Sequence, residues 1–558
     1  MKRSFILFFI TFILAGTSIQ AQNLENIDQF TRQKLFDIRG SFSISTNYYF
    51  SSRDFNQQNP FRYVLSGNPI LSIYGFDLPL SFTFANANFS ATGPTNFQRM
   101  GLSPYYKWIK LHAGYRNLSF SPYTLNNHVF LGGGVELTPG KWRISAMYGR
   151  FNEAIEEDST RQTLPPSYRR TGYAIKVGYG TNESFVEMSV LKAKDDARSI
   201  AEPVNADISP SENLAIGLST RQTFFKKLVW EFHAGASAYT EDISAGEIES
   251  EEVDIPDFFT NLFEPRVSSR VNFAGHTSLT YRARKYSIKA EYMRVDPEYE
   301  TMGSYFFNND LERYTLTPSF SLLQGKINVN ASLGLQRDNL LNNKAATTNR
   351  TIGSANLQIA PTPQLSINAQ YSNYATQQES GLVNLNDTIR IFQVNHNINV
   401  TPAYIISNDQ LYHSFVLALG SQILVDRNIF TSEFSESTTN NANFNYRFKN
   451  SRVQYGLSAG LNYLTLESAQ SDITRYGLSL GAEKALFDKK MTIQLNGMYN
   501  LSQLNGSSDG SVINGNLDVR YTPHPAHNFS IRSQAILNRT TVGFDDYIVS
   551  ANYSFMLL

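Results

Sequence analysis

The chain has 558 residues, of which 41% are hydrophobic and 17% charged; it has no cysteine, and its 48 basic and 48 acidic residues cancel. That composition excludes a disulfide framework and a cysteine-linked lipid anchor, and offers no charge argument for a nucleic-acid partner. Mean hydropathy of −0.30 is low for a helical membrane protein. Beyond the N-terminus no apolar run reaches the roughly 18 residues a spanning helix needs.

Met1, Lys2 and Arg3 precede an apolar stretch from Phe5 to Ala15, and small and polar residues follow as far as Ala21 and Gln22. This reads as a signal peptide over residues 1–21, with Ile19 bulkier than a cleavage site favours. Residues 22–37 are expected to be a short periplasmic leader. Leu24, Ile27, Phe30 and Leu35 could share a helical face there, but a tether is the simpler expectation.

From about residue 38 onward a period of two recurs. Ile327, Val329, Ala331, Leu333 and Leu335 alternate with Asn328, Asn330, Ser332 and Gln336; Leu365 to Tyr371 and Val453 to Tyr463 repeat the rhythm. Period two means strands with one apolar face, and runs of about ten residues match a tilted strand crossing a bilayer. Because lipid satisfies no unpaired backbone groups, such strands must close on themselves. The expected fold is all-β: one antiparallel up-and-down transmembrane β-barrel over residues 38–558. Its 31 Tyr and 39 Phe suit aromatic girdles at the interfaces.

Tight turns alternate with long polar connections. Tight candidates include Gly75-Phe76, Thr138 to Lys141, Lys226-Lys227, Gln324-Gly325 and Phe487 to Lys489; long ones include residues 151–167, 195–210, 241–267 and 296–310. Outer-membrane barrels keep short turns in the periplasm and long loops outside. Counting hairpins gives about 26 strands, with 24 possible because residues 61–118 divide in more than one way. The even number puts both termini in the periplasm. Barrels of 22 or more strands enclose a wide lumen, and the leader is too short for a globular plug.

The alternation near the C-terminus turns Ser530, Arg532, Gln534 and Asn538 inward, predicting a wet, polar lumen. The same parity places Glu187, Glu231, His233, His276, Lys289 and Glu291 on inward faces. A cross-strand salt-bridge network is the favoured reading of that group, ahead of a selectivity patch. Glu231 with His233 is too common an alternation to mark a metal site.

Glu247, Glu249, Glu251, Glu252 and Asp254 form the strongest acidic run, without the spacing of a calcium loop. Phe258, Phe259, Leu262 and Phe263 follow, and their apolar surface is expected to fold back into the barrel mouth. Residues 119–128 and 241–267 are the expected constrictions. No catalytic signature is present: there is no HExxH, no GxSxG and no phosphate loop, and His413 beside Ser414 is a weak coincidence in a Ser-rich chain. No cofactor or metal is expected, and the chain is read as non-enzymatic.

The segment Ser103 to Tyr115, continuing through Ser121 to Leu125, Phe130 to Leu137 and Met147 to Phe151, resembles Bacteroidota outer-membrane β-barrel proteins of unassigned function. The junction Gln20-Ala21-Gln22 resembles signal-peptide endings in the same group. The resemblance covers about the first fifth of the mature chain and carries over no functional residue. One departure is the terminus, where Met556, Leu557 and Leu558 follow Phe555 in place of a final aromatic. The expected role is passage of solutes or polypeptides through a polar lumen; the alternative is a closed accessory barrel in an assembly, secretion or adhesion complex. Expected partners are outer-membrane lipid, lipopolysaccharide and an outer-membrane protein complex.

Overall fold

The computed structural model describes residues 36–53, 60–74, 76–86, 97–157, 165–203, 208–248, 262–305, 308–344, 346–380, 392–428 and 431–557. The signal peptide and the leader up to residue 35 therefore lie outside the described residues. Strand begins at Phe36, two residues before the expected start.

All strands belong to one antiparallel sheet. Two of them are interrupted. Phe61–Gly67 and Ile70–Ile73 both lie between Phe36–Ser51 and Phe76–Ala85. Phe97–Leu102 and Tyr105–Tyr106 both lie between Phe76–Ala85 and Ile109–Ser119. Each break holds a proline, Pro69 or Pro104, which has no N–H to donate to the ladder. Their carbonyls still accept, from Leu80 N–H and Leu111 N–H at 2.8 Å. Counting each broken strand once gives a closed 26-strand barrel, and the prolines explain why residues 61–118 were hard to divide.

Closure is made by Phe36–Ser51 against Phe544–Leu557, paired from Gly40↔Leu557 to Ser51↔Asp546. With an even number of strands, Phe36 and Leu557 share one rim. That rim carries the tight turns. At one of them Phe225 and Lys226 both have positive φ (52° and 56°), the primed geometry whose twist matches a hairpin. The other rim carries the long loops. The contrast fades near the C-terminus, where Tyr455–Ser468 turns into Asp472–Leu486 and Met491–Leu504 into Ser507–His524 within a few residues. Val453, read as strand from its alternation, lies in the turn before Tyr455.

The outer face is apolar and exposed, with Leu333 and Leu335 at 60% and 61%. Near the tight-turn rim it carries a girdle of aromatic rings. Trp142 meets Tyr179 at 5.4 Å, Tyr281 meets Tyr286 at 6.0 Å, and Phe529 meets Tyr553 at 4.5 Å. Water solvates such a belt poorly, whereas a bilayer matches it.

The inner face is not uniformly polar, which corrects the expectation of a wet lumen throughout. Leu118, Phe130, Met147, Phe151, Ala174, Leu191, Ala193 and Ala215 point inward from consecutive strands and form a buried cluster. Phe120, Leu125 and Met302 complete it from two loops. The principal core of this protein therefore lies inside the barrel, along one wall.

Candidate functional site in the lumen

The site is built on a row of small inward residues. Ser189, Gly217, Gly235 and Ala274 are cross-strand neighbours on four adjacent strands. Over this row lie residues 120–125, which connect Ile109–Ser119 to Asn126–Leu137, and residues 296–305, from the connection between Tyr286–Val295 and Leu311–Leu322. Both come from the long-loop rim. The first loop joins strands well away from Leu228–Thr240, and it reaches that strand across the barrel interior.

The fit depends on missing side chains. A Cβ on Gly235 would fall 2.3 Å from Tyr123 Cβ and 2.7 Å from the Tyr299 hydroxyl; one on Gly217 would fall 2.9 Å from Thr124 Cγ2. The loops also bond to each other and to the wall. Tyr299 donates to the Tyr123 carbonyl at 2.6 Å and Thr301 to the Thr124 carbonyl at 3.0 Å. Asn126 N–H donates to the Gly303 carbonyl at 2.8 Å. From the wall, Ser237 donates to the Glu300 carbonyl at 2.6 Å, and Asn213 accepts from Met302 N–H at 3.1 Å. Leu125 and Tyr299 have no exposed surface. Burial pushes the Tyr123 and Tyr299 phenols up, and Glu291 adds to the effect at Tyr123. Both rings remain neutral hydrogen-bonding groups at physiological pH.

The expected inward residues surround this dock. His233 stacks on His276 with centroids 4.6 Å apart, and each ring is anchored: His233 Nδ1 lies 2.9 Å from Ser219 Oγ, and His276 Nδ1 lies 3.0 Å from the Tyr123 hydroxyl. Glu187 takes the Arg143 guanidinium, with Lys176 at 3.7 Å. Glu231 lies 3.4 Å from Arg221. Lys289 reaches Glu291 at 2.5 Å, and Arg313 stands 3.5 Å from the same carboxylate. Six residues singled out in the sequence thus fall on one wall, and their carboxylates are paired. Among the described residues no group of three or more His, Asp or Glu is arranged to hold a metal.

The Glu231 and Lys289 side chains stay partly exposed (32% and 38%) beside the docked loops, so their charge is expected to tune ion selectivity. Glu231→Gln should shift reversal potential in a salt gradient towards anions, and Lys289→Met towards cations. Equal reversal potentials in both variants and the wild type would mean that the pairs only hold the wall together.

The acidic loop behaves differently from expectation. Phe263 is 2% exposed, but it packs with Leu214 and Ala238 and against Val190, Ile216 and Val271. Those side chains belong to the outer face, so Phe263 clamps the loop to the outside of the barrel instead of folding into its mouth. Lys192, also on the outer face, donates to the Leu262 carbonyl at 2.7 Å. An apolar ring is better buried against an apolar wall than in a lumen already filled by another loop. Glu247 bridges Arg266, with side chains 3.5 Å apart, at the base of this loop. Glu249, Glu251, Glu252, Asp254, Phe258 and Phe259 lie outside the described residues.

Residues 120–125, within the segment 119–128 singled out in the sequence, lie inside the barrel; Tyr299, Thr301 and Met302, which pack with them, were not singled out. The available signal was Gly217 and Gly235 in mid-strand at inward positions, which marks close approach of another backbone. His413 bonds the Tyr446 hydroxyl at 2.9 Å from the outer face, whereas Ser414 is its neighbour on the inner face. Alternation separates them, so they form no catalytic pair.

No protein-family model matches the chain, and no curated protein does. Among solved structures, the chain is similar to the P pilus usher PapC translocation pore, with 11% identity and a TM-score of 0.38 over 94% of this chain and 100% of that one. The siderophore receptor PirA from Pseudomonas aeruginosa aligns over 93% of this chain and 80% of its own, with 11% identity and a TM-score of 0.36. OccAB2 of Acinetobacter baumannii aligns over 63% and 93%, with 8% identity and a TM-score of 0.31. None of these likenesses assigns a function to the chain.

Proposed function

We propose that the protein is an outer-membrane barrel through whose lumen polar solutes or polypeptides pass, without covalent chemistry, and that the two docked loops narrow that path. The observation that carries this reading is the asymmetry of the lumen. Loops cover the wall from Ile109–Ser119 to Tyr286–Val295. On the opposite side, inward Asn330, Asn368, Gln370, Asn399 and Asn443 are exposed. Primary amides both donate and accept, so such a wall exchanges hydrogen bonds with passing water and neutral polar groups at little cost. In this reading the tight-turn rim and both termini face the periplasm, and outer-leaflet lipid and lipopolysaccharide surround the aromatic and apolar belt.

Planar-bilayer recording of purified protein tests the proposal, with stepwise current as the expected result. Absence of current in the wild type and in a variant with displaced loops would favour the closed accessory barrel.

A further inference from the structure

On the open wall, near the seam where the barrel closes, one inward row runs Asp518, Arg532, Ser550, Asn47, Arg62 across five strands. Arg520 stands on the adjacent inward row, paired with Ser530. Together with neighbouring serine and asparagine side chains these residues line a concavity of ≈ 550 Å³, within the range of small-molecule sites. Arg62 and Arg532 are three strand spacings apart, about 14 Å at the usual interstrand distance.

The charges do not cancel here. Asp518 Oδ2 accepts from Nε of Arg532 at 3.0 Å and lies 3.0 Å from its Nη2, which neutralises one guanidinium. Among the described residues, Arg62 and Arg520 have no ion-pair partner. The covered wall differs, because there Arg170 is held in a two-pronged pair with Asp195 at 2.8 Å and Arg143 is held by Glu187. A floor of short polar side chains separates the arginines, with Asn47 donating to Ser550 at 2.9 Å.

We propose that this concavity binds a hydroxyl-rich dianion of the size of a phosphorylated monosaccharide. The two surplus guanidiniums, on strands four spacings apart, give the concavity a net positive field that favours a dianion, and guanidinium suits phosphate oxygens through paired N–H donors. The serine and asparagine floor supplies the mixed donors and acceptors that sugar hydroxyls require. The site rests on the open lumen proposed above, because the concavity faces that space.

Calorimetric titration of the detergent-purified full chain tests it, with glucose 6-phosphate, glucose and inorganic phosphate as probes. Glucose 6-phosphate is expected to bind roughly tenfold more tightly than phosphate, and glucose to give no measurable heat. The double variant Arg62→Gln, Arg520→Gln should lose roughly tenfold in affinity or more, and Arg62→Lys, Arg520→Lys should recover part of it. Both positions are exposed, so neither change threatens the fold. Equal affinity for phosphate and glucose 6-phosphate, no binding by the wild type, or unchanged affinity in the glutamine variant would overturn the site. Binding by a protein that passes no current would remove the pore and leave the site; current without binding would remove the site alone.

Discussion

Gly235→Leu is expected to raise single-channel conductance several-fold. Even the first atom of the new side chain would sit 2.3 Å from Tyr123 Cβ and 2.7 Å from the Tyr299 hydroxyl, closer than any packed contact. The two loops meet at that point, so displacing Tyr123 also breaks the hydrogen bonds from Tyr299 and Thr301 that join them. Burial of each large apolar loop side chain, such as Leu125 or Met302, contributes on the order of 1.5–3 kcal/mol, and several would be lost together. The strand itself should survive, because its backbone ladder to Glu212–Phe224 and Ser269–Arg282 does not involve the substituent. Gly334→Ala is the control: that position faces the lumen with its nearest neighbour at 3.5 Å, and conductance should not change. Identical currents from Gly235→Leu and the wild type would show that the loops do not limit passage.

Deleting residues 544–557 should abolish membrane insertion. That strand is the partner of both Phe36–Ser51 and His527–Arg539, and its loss leaves two unpaired edges in a surface meant for lipid. An unsatisfied backbone group in hydrocarbon costs several kcal/mol, and each edge would expose a row of them. The full-length protein should migrate differently on a gel before and after boiling. The truncated chain should show one mobility and be digested by added protease. A truncated form that kept heat-dependent mobility would mean that the barrel closes by another pairing.

Strand content, parity and turn rhythm were legible in the chain because each depends on local chemistry. A period of two has one meaning wherever it occurs, and a tight turn shows as a brief break in it, even where the positive-φ residues are Phe225 and Lys226. For that reason the alternation alone assigns Asn328, Asn330 and Ser332, and likewise Glu187 and Glu291, to inward faces. The two broken strands were harder, since a proline interrupts the ladder without ending the strand. Loops were harder still. Residues 241–267 and 296–310 both read as long polar connections, yet Phe263 lies against the outer face and Met302 against the inner one.

Composition and alternation by themselves determined a closed, membrane-compatible barrel with alternating inward and outward side chains, because pairing and solvation leave such strands no other arrangement. Tertiary structure decided where each loop goes. That choice depends on shape across strands distant in sequence: Gly217, Gly235 and Ala274 become a docking surface only when the sheet places them side by side, and Arg62 lines one concavity with Arg520 and Arg532 only when the barrel closes.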